Sequence, residues 1–304
     1  MSLVQAADTA DVPMPEAEHG RGEPSGLRLA ASEDGSSFWT FEPPAFEVVA
    51  IGAGCTPLVH NSVLVAPAVL TEAECDQLTL SADCWLAAGE ETECCLRGAD
   101  DEPLRRVRVR LMDASARALV ERMLRRIFTL LERELPATAQ ALFGRTALRD
   151  TPVRFAAHEP VVSVYTAGGA LYPHEDLEAL TVLIPLSQQG AYTGGGTAFW
   201  PDGCERHPYE HPECGTPTAP PSCVLKPPRG SAMLYGGALL HAAAEVSSGI
   251  RHIFVCSFSP SAPRSGMAAE APAPHEAQWG EARRRGRGAL NDSAVWTDLQ
   301  GAFG

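Results

Sequence analysis

Lysine is almost absent from this sequence: of its 24 basic side chains, Lys226 is the one lysine and the others are arginines. Acidic side chains number 38, so the formal net charge at neutral pH is -14. A surface of this sign repels the phosphates of nucleic acids and the headgroups of anionic lipids. We therefore expect no nucleic-acid partner and no membrane partner.

Long apolar runs are also missing, and none approaches the roughly 18 residues that a membrane-spanning helix needs. The first twenty residues contain no basic segment followed by an apolar one, which a secretory signal would require. Nine cysteines are present, an odd number. Without a signal they are expected to be reduced thiols, and we expect an intracellular, cytoplasmic location.

The composition changes along the chain and predicts three regions. Residues 1–44 are rich in Ala, Glu, Asp, Gly, Pro and Ser, which is typical of a flexible arm. Residues 261–304 are rich in Ala, Pro, Arg and Ser, and we expect a partly disordered tail there. A single domain over residues 45–260 remains between them. Its predicted parts are helical support (70–136), a jelly-roll core (150–260) and an insertion loop (201–223).

Two helices are predicted in the first part of this domain. Thr71 and Glu74 have the spacing of a capping box ahead of apolar residues at helical intervals. A longer helix follows Asp113 or Ser115, either of which can cap it, and Pro136 is expected to end it. The apolar face of this second helix is predicted to contain Leu119, Met123, Ile127, Leu130 and Leu131.

After residue 150 the chain consists of short β-rich segments separated by turn residues. These segments are "PVVSVYTAGG", "EALTVLIPLS", "GGGTAFW", "CVLKPPRGSAMLY" and "GIRHIFVCSFS". Helices followed by a run of strands predict an antiparallel sandwich or jelly roll with the helices packed on one sheet. The predicted fold class is therefore mainly β with supporting helices (α+β).

The segment "LYPHEDLEALTVLIPL" places ionisable residues directly before an apolar strand. His174 and Asp176 are two residues apart, so in a strand they would face the same side, with Glu175 pointing the other way. His241 follows another apolar run and completes a set of two histidines and one carboxylate, as in non-haem iron oxygenases. Arg251 follows in a predicted strand, where a buried guanidinium needs an anion such as a carboxylate.

Several linked motifs occur in one order: "VYTAGGALYPHED", "TGGGTAFW", "PPRGSAMLYGG", "LLHAAAEV" and "GIRHIFVCSF". In these motifs the sequence resembles the Fe(II)- and 2-oxoglutarate-dependent dioxygenases, in particular the prolyl 4-hydroxylase and procollagen lysyl hydroxylase branch. The resemblance covers roughly residues 60 to 260. It implies a distorted double-stranded β-helix, a jelly roll of the cupin kind, as the core.

The same resemblance implies a role for each matching residue. The implied Fe(II) ligands are His174, Asp176 and His241. Arg251 would pair with the distal carboxylate of 2-oxoglutarate, the co-substrate. Tyr165 and Thr197 stand at positions that look like the auxiliary contacts of the family to this co-substrate.

The implied reaction is hydroxylation of an unactivated C–H bond with O2, in which 2-oxoglutarate becomes succinate and CO2. A prolyl or lysyl side chain of a protein or peptide is the predicted substrate, and ascorbate is a candidate reductant. A free amino acid or another small molecule is the alternative substrate. A catalytically inactive, cupin-like metal-binding module is the alternative from another class.

A second group of metal-ligating residue types lies in the predicted insertion loop. Cys204, His207, His211 and Cys214 have the types and short spacings of a zinc site, with Cys223 close by. A loop without metal, a zinc site and a disulfide are the three readings that the sequence leaves open. Because the loop would overhang the mouth of the barrel, we expect it to influence substrate choice.

Overall fold

The computed structural model describes residues 27–31, 37–41, 47–51, 62–89, 104–149, 151–201, 203–207 and 216–261. The α-helices are α1 (Glu72–Ala87), α2 (Ala114–Glu134) and α3 (Pro136–Phe143). Short 3-10 helices cover Val109–Leu111 and Gln189–Ala191. The strands are β1 (Leu27–Ala31), β2 (Ser37–Phe41), β3 (Glu47–Ala50), β4 (Ser62–Ala66), β5 (Leu104–Arg108), β6 (Val153–Phe155), β7 (Val161–Tyr165), β8 (Leu171–His174), β9 (Leu180–Pro185), β10 (Tyr192–Gly194), β11 (Thr197–Phe199), β12 (Arg206–His207), β13 (Thr216–Pro217), β14 (Cys223–Leu225), β15 (Ala232–Tyr235), β16 (His241–Ala243), β17 (Val246–Gly249) and β18 (Arg251–Pro260).

The main body has three layers: helices, a large sheet and a small sheet. The large sheet has the strand order β3-β4-β15-β9-β18-β7-β5, with β6 also paired to β18. The small sheet has the order β14-β11-β16-β8. From β7 to β18 the chain passes repeatedly from one sheet to the other, and the pairings within both sheets are antiparallel. This topology is the predicted jelly roll with supporting helices, which the structure confirms.

The helices begin where the sequence predicts. The Thr71 side chain accepts a hydrogen bond from the Glu74 backbone and the Glu74 side chain accepts one from the Thr71 backbone, so the capping box is present. Asp113 caps α2 by accepting from the backbone N–H of Ala116 at 2.9 Å. Pro136 follows the end of α2 but also begins α3, a helix that was not predicted, because proline suits the first helical position.

The helical layer packs on the large sheet through a continuous apolar core. All five residues of the predicted α2 face are fully buried: Leu119, Met123, Ile127, Leu130 and Leu131. Phe258 of β18 contacts Phe128 of α2 edge to face, with ring centroids 5.7 Å apart. Fully burying a side chain of this kind contributes about 1.5–3 kcal/mol, so the α2 face is a major source of stability.

Strand β18 contributes side chains to the apolar cores on both faces of the large sheet. Phe254 and Phe258 belong to the core under the helices, whereas Ile253 belongs to the core between the two sheets. Successive strand residues point to opposite faces, so Arg251 and Ile253 face the small sheet. The space between the sheets is therefore where the polar residues of the sequence motifs meet.

Strands β1 and β2 pair with each other and fall inside the segment predicted as an N-terminal arm. Most of that arm, and residues 262–304 of the predicted tail, lie outside the described residues. Among the helices that are described, none has the length and apolarity to cross a membrane.

Candidate metal and co-substrate site

His174 and His241 are brought together by the small sheet. His174 ends β8, His241 begins β16, and the two residues lie opposite each other in the antiparallel register of these strands. Their ring centroids are 4.3 Å apart. The ring of Tyr235 packs edge to face on His241 at 4.9 Å and supports its orientation.

Asp176 reaches the same point through a turn and not through strand alternation. Strand β8 ends at His174, and the backbone N–H groups of Asp176 and Leu177 both donate to the carbonyl of Gly237, at 2.9 and 3.2 Å. Leu177 adopts a φ of 62°, which reverses the chain. The Asp176 carboxylate then accepts a hydrogen bond of 2.5 Å from the hydroxyl of Thr181.

Three potential ligand atoms converge within 4.8 Å of one another. The Asp176 carboxylate oxygens lie 3.5 Å from Nε2 of His174 and 3.5 Å from Nε2 of His241. Nδ1 of His174 faces the carbonyl of Tyr172 at 2.7 Å, and Nδ1 of His241 faces that of Leu239 at 3.0 Å. A carbonyl only accepts, so each Nδ1 carries the proton and each Nε2 directs its lone pair to the centre. This donor set fits a divalent metal with open positions.

Burial and mutual attraction set the charges of these groups. Burial lowers the pKa of His241 to about 4, although the Asp176 charge opposes this. Burial alone would raise the pKa of Asp176, but the charge of His241 and the hydrogen bond with His174 outweigh it and hold the pKa below its ordinary value. Burial alone would lower the pKa of His174, but the hydrogen bond and the charge of Asp176 outweigh it and raise the pKa. Because metals bind neutral imidazole and ionised carboxylate, metal binding would displace any proton shared between His174 and Asp176.

Arg251 lies in the same cavity and is 2% exposed. Its Nη2 donates a long hydrogen bond of 3.4 Å to the hydroxyl of Thr197, and its guanidinium carbon lies 5.3 Å from the centre of the Tyr165 ring. Its Nε and Nη1 atoms are buried and have no hydrogen-bond partner among the described residues. The structure thus brings Arg251, Tyr165 and Thr197 together around a positive charge for which the described part of the chain supplies no anion.

Gly195 allows the chain to pass close to this arginine. Its φ is 66°, and a Cβ atom there would lie 3.2 Å from Cδ of Arg251 and 2.9 Å from the Tyr192 ring. A side chain at this position would be strained in backbone conformation and would crowd the guanidinium. The glycine segment of the sequence is therefore needed next to Arg251.

One cavity of about 250 Å³ contains all of these groups. Its lining includes the three potential metal ligands as well as Arg251, Tyr165 and Thr197. Apolar side chains of the large sheet, among them Leu183 and Ile253, also line it. A molecule bound in this cavity would thus contact an apolar surface as well as the polar groups.

Two further cavity residues, Arg106 and Glu159, were not predicted. Nη2 of Arg106 donates to Oε1 of Glu159 at 3.0 Å. Oε2 of Glu159 accepts from the backbone N–H of Ser257 and from its hydroxyl, at 2.5 and 2.9 Å. They lie 53 positions apart in the sequence, and no sequence motif indicated either of them.

Glu175, which was expected to point away from His174 and Asp176, is among the residues that line the cavity, but it does not belong to the group of potential metal ligands. Strand alternation no longer applies beyond His174, where β8 ends. The Glu175 carboxylate accepts a hydrogen bond of 2.5 Å from Arg206, which lies in the predicted insertion loop. The insertion is thus joined directly to the motif that carries the potential metal ligands.

The zinc hypothesis for the insertion stays a prediction. Cys204 and His207 are described, whereas His211 and Cys214 lie outside the described residues. Within the described part of the chain, Cys204 and Cys223 are free thiols. The described part of the insertion is held to the small sheet by Trp200, whose indole N–H donates to the carbonyl of Ala219 at 2.9 Å.

No protein-family model matches this sequence, and no curated protein matches it. Its fold is similar to that of an oxidoreductase of the 2OG-Fe(II) oxygenase family from Burkholderia pseudomallei, with 15% identity, coverage of 67% of this chain and 88% of that chain, and a TM-score of 0.38. A collagen prolyl hydroxylase of Paramecium Bursaria Chlorella virus-1, in complex with 2OG, has 15% identity over 71% of this chain and 96% of that chain, with a TM-score of 0.40. HygX from Streptomyces hygroscopicus, with nickel, 2-oxoglutarate and hygromycin B bound, has 15% identity over 66% of this chain and 83% of that chain. Its TM-score is 0.41. Likenesses this remote assign no activity to this chain.

Proposed function

We propose that this protein is an Fe(II)- and 2-oxoglutarate-dependent dioxygenase that hydroxylates an unactivated C–H bond. The proposed Fe(II) ligands are His174, Asp176 and His241. Arg251 binds the distal carboxylate of 2-oxoglutarate, with Tyr165 and Thr197 beside it. O2 supplies one oxygen atom to the product hydroxyl and one to succinate, and 2-oxoglutarate also releases CO2.

The observation that carries this proposal is the buried guanidinium of Arg251. A charge that is 2% exposed and has no counter-ion among the described residues is costly to maintain. A bound carboxylate accepts two charge-assisted hydrogen bonds from the N–H groups of the Arg251 guanidinium. A metal-binding module without a co-substrate has no use for such a charge in the cavity of its ligands, which argues against the inactive alternative.

The protein residues hold and orient the reactants. When bound, Fe(II) would supply the activation of O2. The hydrogen bonds of His174 and His241 with the carbonyls of Tyr172 and Leu239, and the one that Thr181 donates to Asp176, keep the three ligands directed to one point. Arg251 and the apolar wall fix the co-substrate in one orientation and exclude water around it. Ascorbate is proposed as the reductant that restores Fe(II) after an incomplete cycle.

The predicted substrate is a prolyl or lysyl side chain. The sequence resemblance supports this choice. A second candidate, a small molecule such as a free amino acid, is favoured by the charged pair Arg106–Glu159 in the cavity wall. Both candidates undergo the same reaction at the same proposed metal.

The test is an anaerobic titration of the full chain with Fe(II) and 2-oxoglutarate. The absorbance of the visible metal-to-ligand charge-transfer band measures formation of the complex. The band is expected in the wild type and absent in His174→Ala. In Arg251→Gln the 2-oxoglutarate concentration for half-saturation should rise about tenfold or more, because a charge-assisted hydrogen bond contributes about 1.5–3 kcal/mol.

Two exposed residues outside the cavity provide matched controls. His158→Ala and Arg105→Gln remove the same side-chain types from the surface and should leave the titration unchanged. Metal binding without the band in the wild type would refute the co-substrate site and favour a metal-binding module.

A further inference from the structure

The cavity contains a second arginine that the proposed reaction does not use. Arg106 lies on β5, and its side chain is 19% exposed, in contrast to the enclosed Arg251. A guanidinium has five N–H donors. Among the described residues, Glu159 is the hydrogen-bond partner of Arg106, through Nη2 alone. The remaining donors are therefore available to a molecule in the cavity.

Glu159 holds this arginine in place. Its Oε2 is occupied by the backbone N–H and the hydroxyl of Ser257, and its Oε1 accepts from Arg106. The Glu159 side chain is 7% exposed, so little of it faces a ligand. The carboxylate is thus a fixed support for the guanidinium.

Hydrogen bonds and strand register connect Glu159 to Asp176, one of the proposed metal ligands. Ser257, which holds Glu159, lies opposite Thr181 in the pairing of β18 with β9. The hydroxyl of Thr181 donates to Asp176, one of the proposed ligands. Arg106 thus lines the same cavity as the proposed ligands, and it lies on β5, which β7 separates from Arg251 on β18.

We propose that Arg106, supported by Glu159, binds a carboxylate of the primary substrate, and that this substrate is a small free acid of about the size of an amino acid. This inference rests on the proposed function and selects within its substrate candidates. A planar guanidinium with unused donors matches a carboxylate in shape and charge. A prolyl or lysyl residue inside a peptide presents a neutral amide at the same place and cannot form this ion pair.

The size of the cavity supports a small substrate. Its volume of about 250 Å³ lies below the range of roughly 300–1,000 Å³ that is common for ligand sites. The same space must also hold 2-oxoglutarate. Both points favour a compact substrate.

The test compares each acid with an analogue in which an uncharged amide replaces the carboxylate. L-Proline and L-lysine are the probes, each paired with its primary amide, and the dipeptide glycyl-L-proline represents a peptide C-terminus. Binding to the full chain is measured by isothermal titration calorimetry, once with Zn(II) and 2-oxoglutarate present and once without them. Zn(II) replaces Fe(II) so that no turnover occurs.

At least one acid is expected to bind ten times more tightly than its amide. Arg106→Gln should abolish this preference. Arg106→Lys should retain part of it, because the positive charge remains. Arg105→Gln, on the exposed side of β5, should retain all of it. In Arg106→Gln the affinity for 2-oxoglutarate should stay unchanged, which separates this site from Arg251.

Equal binding of every acid and its amide in the wild type would overturn the proposal, and so would an unchanged preference in Arg106→Gln. Tighter binding of glycyl-L-proline than of free proline would overturn the assignment to a free acid. The proposed function fails separately, through loss of the charge-transfer band, because binding without metal and 2-oxoglutarate reports on Arg106 alone.

Discussion

Gly237 is the residue on which the position of Asp176 depends most closely. Its carbonyl accepts the backbone N–H groups of Asp176 and Leu177, at 2.9 and 3.2 Å. A Cβ atom at Gly237 would lie 2.2 Å from the carbonyl oxygen and 2.8 Å from the nitrogen of Glu178. These are backbone atoms of the same turn, so they can yield only if the turn itself moves.

We predict that Gly237→Ala displaces Asp176 and weakens metal binding by tenfold or more, with a loss of about 1–3 kcal/mol in the free energy of unfolding from overpacking. Zn(II) titration and urea unfolding measure the two effects. Gly190→Ala is the matched control, because its Cβ atom would have no neighbour within 4 Å. Unchanged Zn(II) affinity in Gly237→Ala would show that the turn does not position the carboxylate.

At the scale of elements, Glu74 connects α1 to α2. Its carboxylate completes the capping box of α1 and accepts two hydrogen bonds of 2.8 Å from Arg126 of α2. Burial alone would raise the pKa of Glu74, but the hydrogen bonds from Arg126 and Thr71 and the charge of Arg126 outweigh it and lower the pKa. The folded state thus favours the ionised form.

Because the pKa is lower in the folded chain, the ionised pair stabilises the protein above the unfolded value of about 4.3, and this contribution is lost as the pH falls through the folded value. We predict that Glu74→Gln costs about 1–3 kcal/mol at neutral pH, since Arg126 loses its charged partner. Urea unfolding from pH 7 to pH 3 should show the difference from the wild type shrinking with acidification.

The exposed Glu72 lies in the same first helical turn and is the matched control. Glu72→Gln should change the free energy of unfolding by less than about 0.5 kcal/mol at any pH. A Glu74→Gln deficit that persists undiminished at pH 3 would contradict a role for the ionised carboxylate.

These elements also show which features the sequence could predict. The caps of α1 and α2 depend on residues three positions apart, and the buried face of α2 follows from the helical period, so local sequence was sufficient. The contact between Arg106 and Glu159 joins residues 53 positions apart, and no local pattern encodes it. His174 and Asp176 were predicted to converge and do so, but through a turn closed by Gly237, which strand alternation could not anticipate.

At the scale of the whole molecule, two of the three buried arginines of the described residues, Arg251 and Arg126, should affect stability in opposite directions. Arg251 is 2% exposed and has unpaired donors among the described residues, whereas Arg126 is 8% exposed and bonds to Glu74 and to the carbonyl of Val69. An unpaired buried charge costs stability, and a paired one is costly to remove. An empty site for an anionic ligand is therefore expected to lower the stability of the ligand-free protein.

We predict that Arg251→Met raises the stability of the ligand-free protein by about 1–3 kcal/mol, whereas Arg126→Met lowers it by about 3 kcal/mol or more. Calorimetric melting with Zn(II) present measures both. Addition of 2-oxoglutarate at 100 times the wild-type Kd should stabilise the wild type and Arg126→Met by about 2.7 kcal/mol. Arg251→Met, which is expected to bind it at least about tenfold more weakly, should gain about 1.4 kcal/mol or less. Destabilisation of the ligand-free protein by Arg251→Met would mean that the folded chain itself satisfies this guanidinium, and the main argument for a bound carboxylate would be lost.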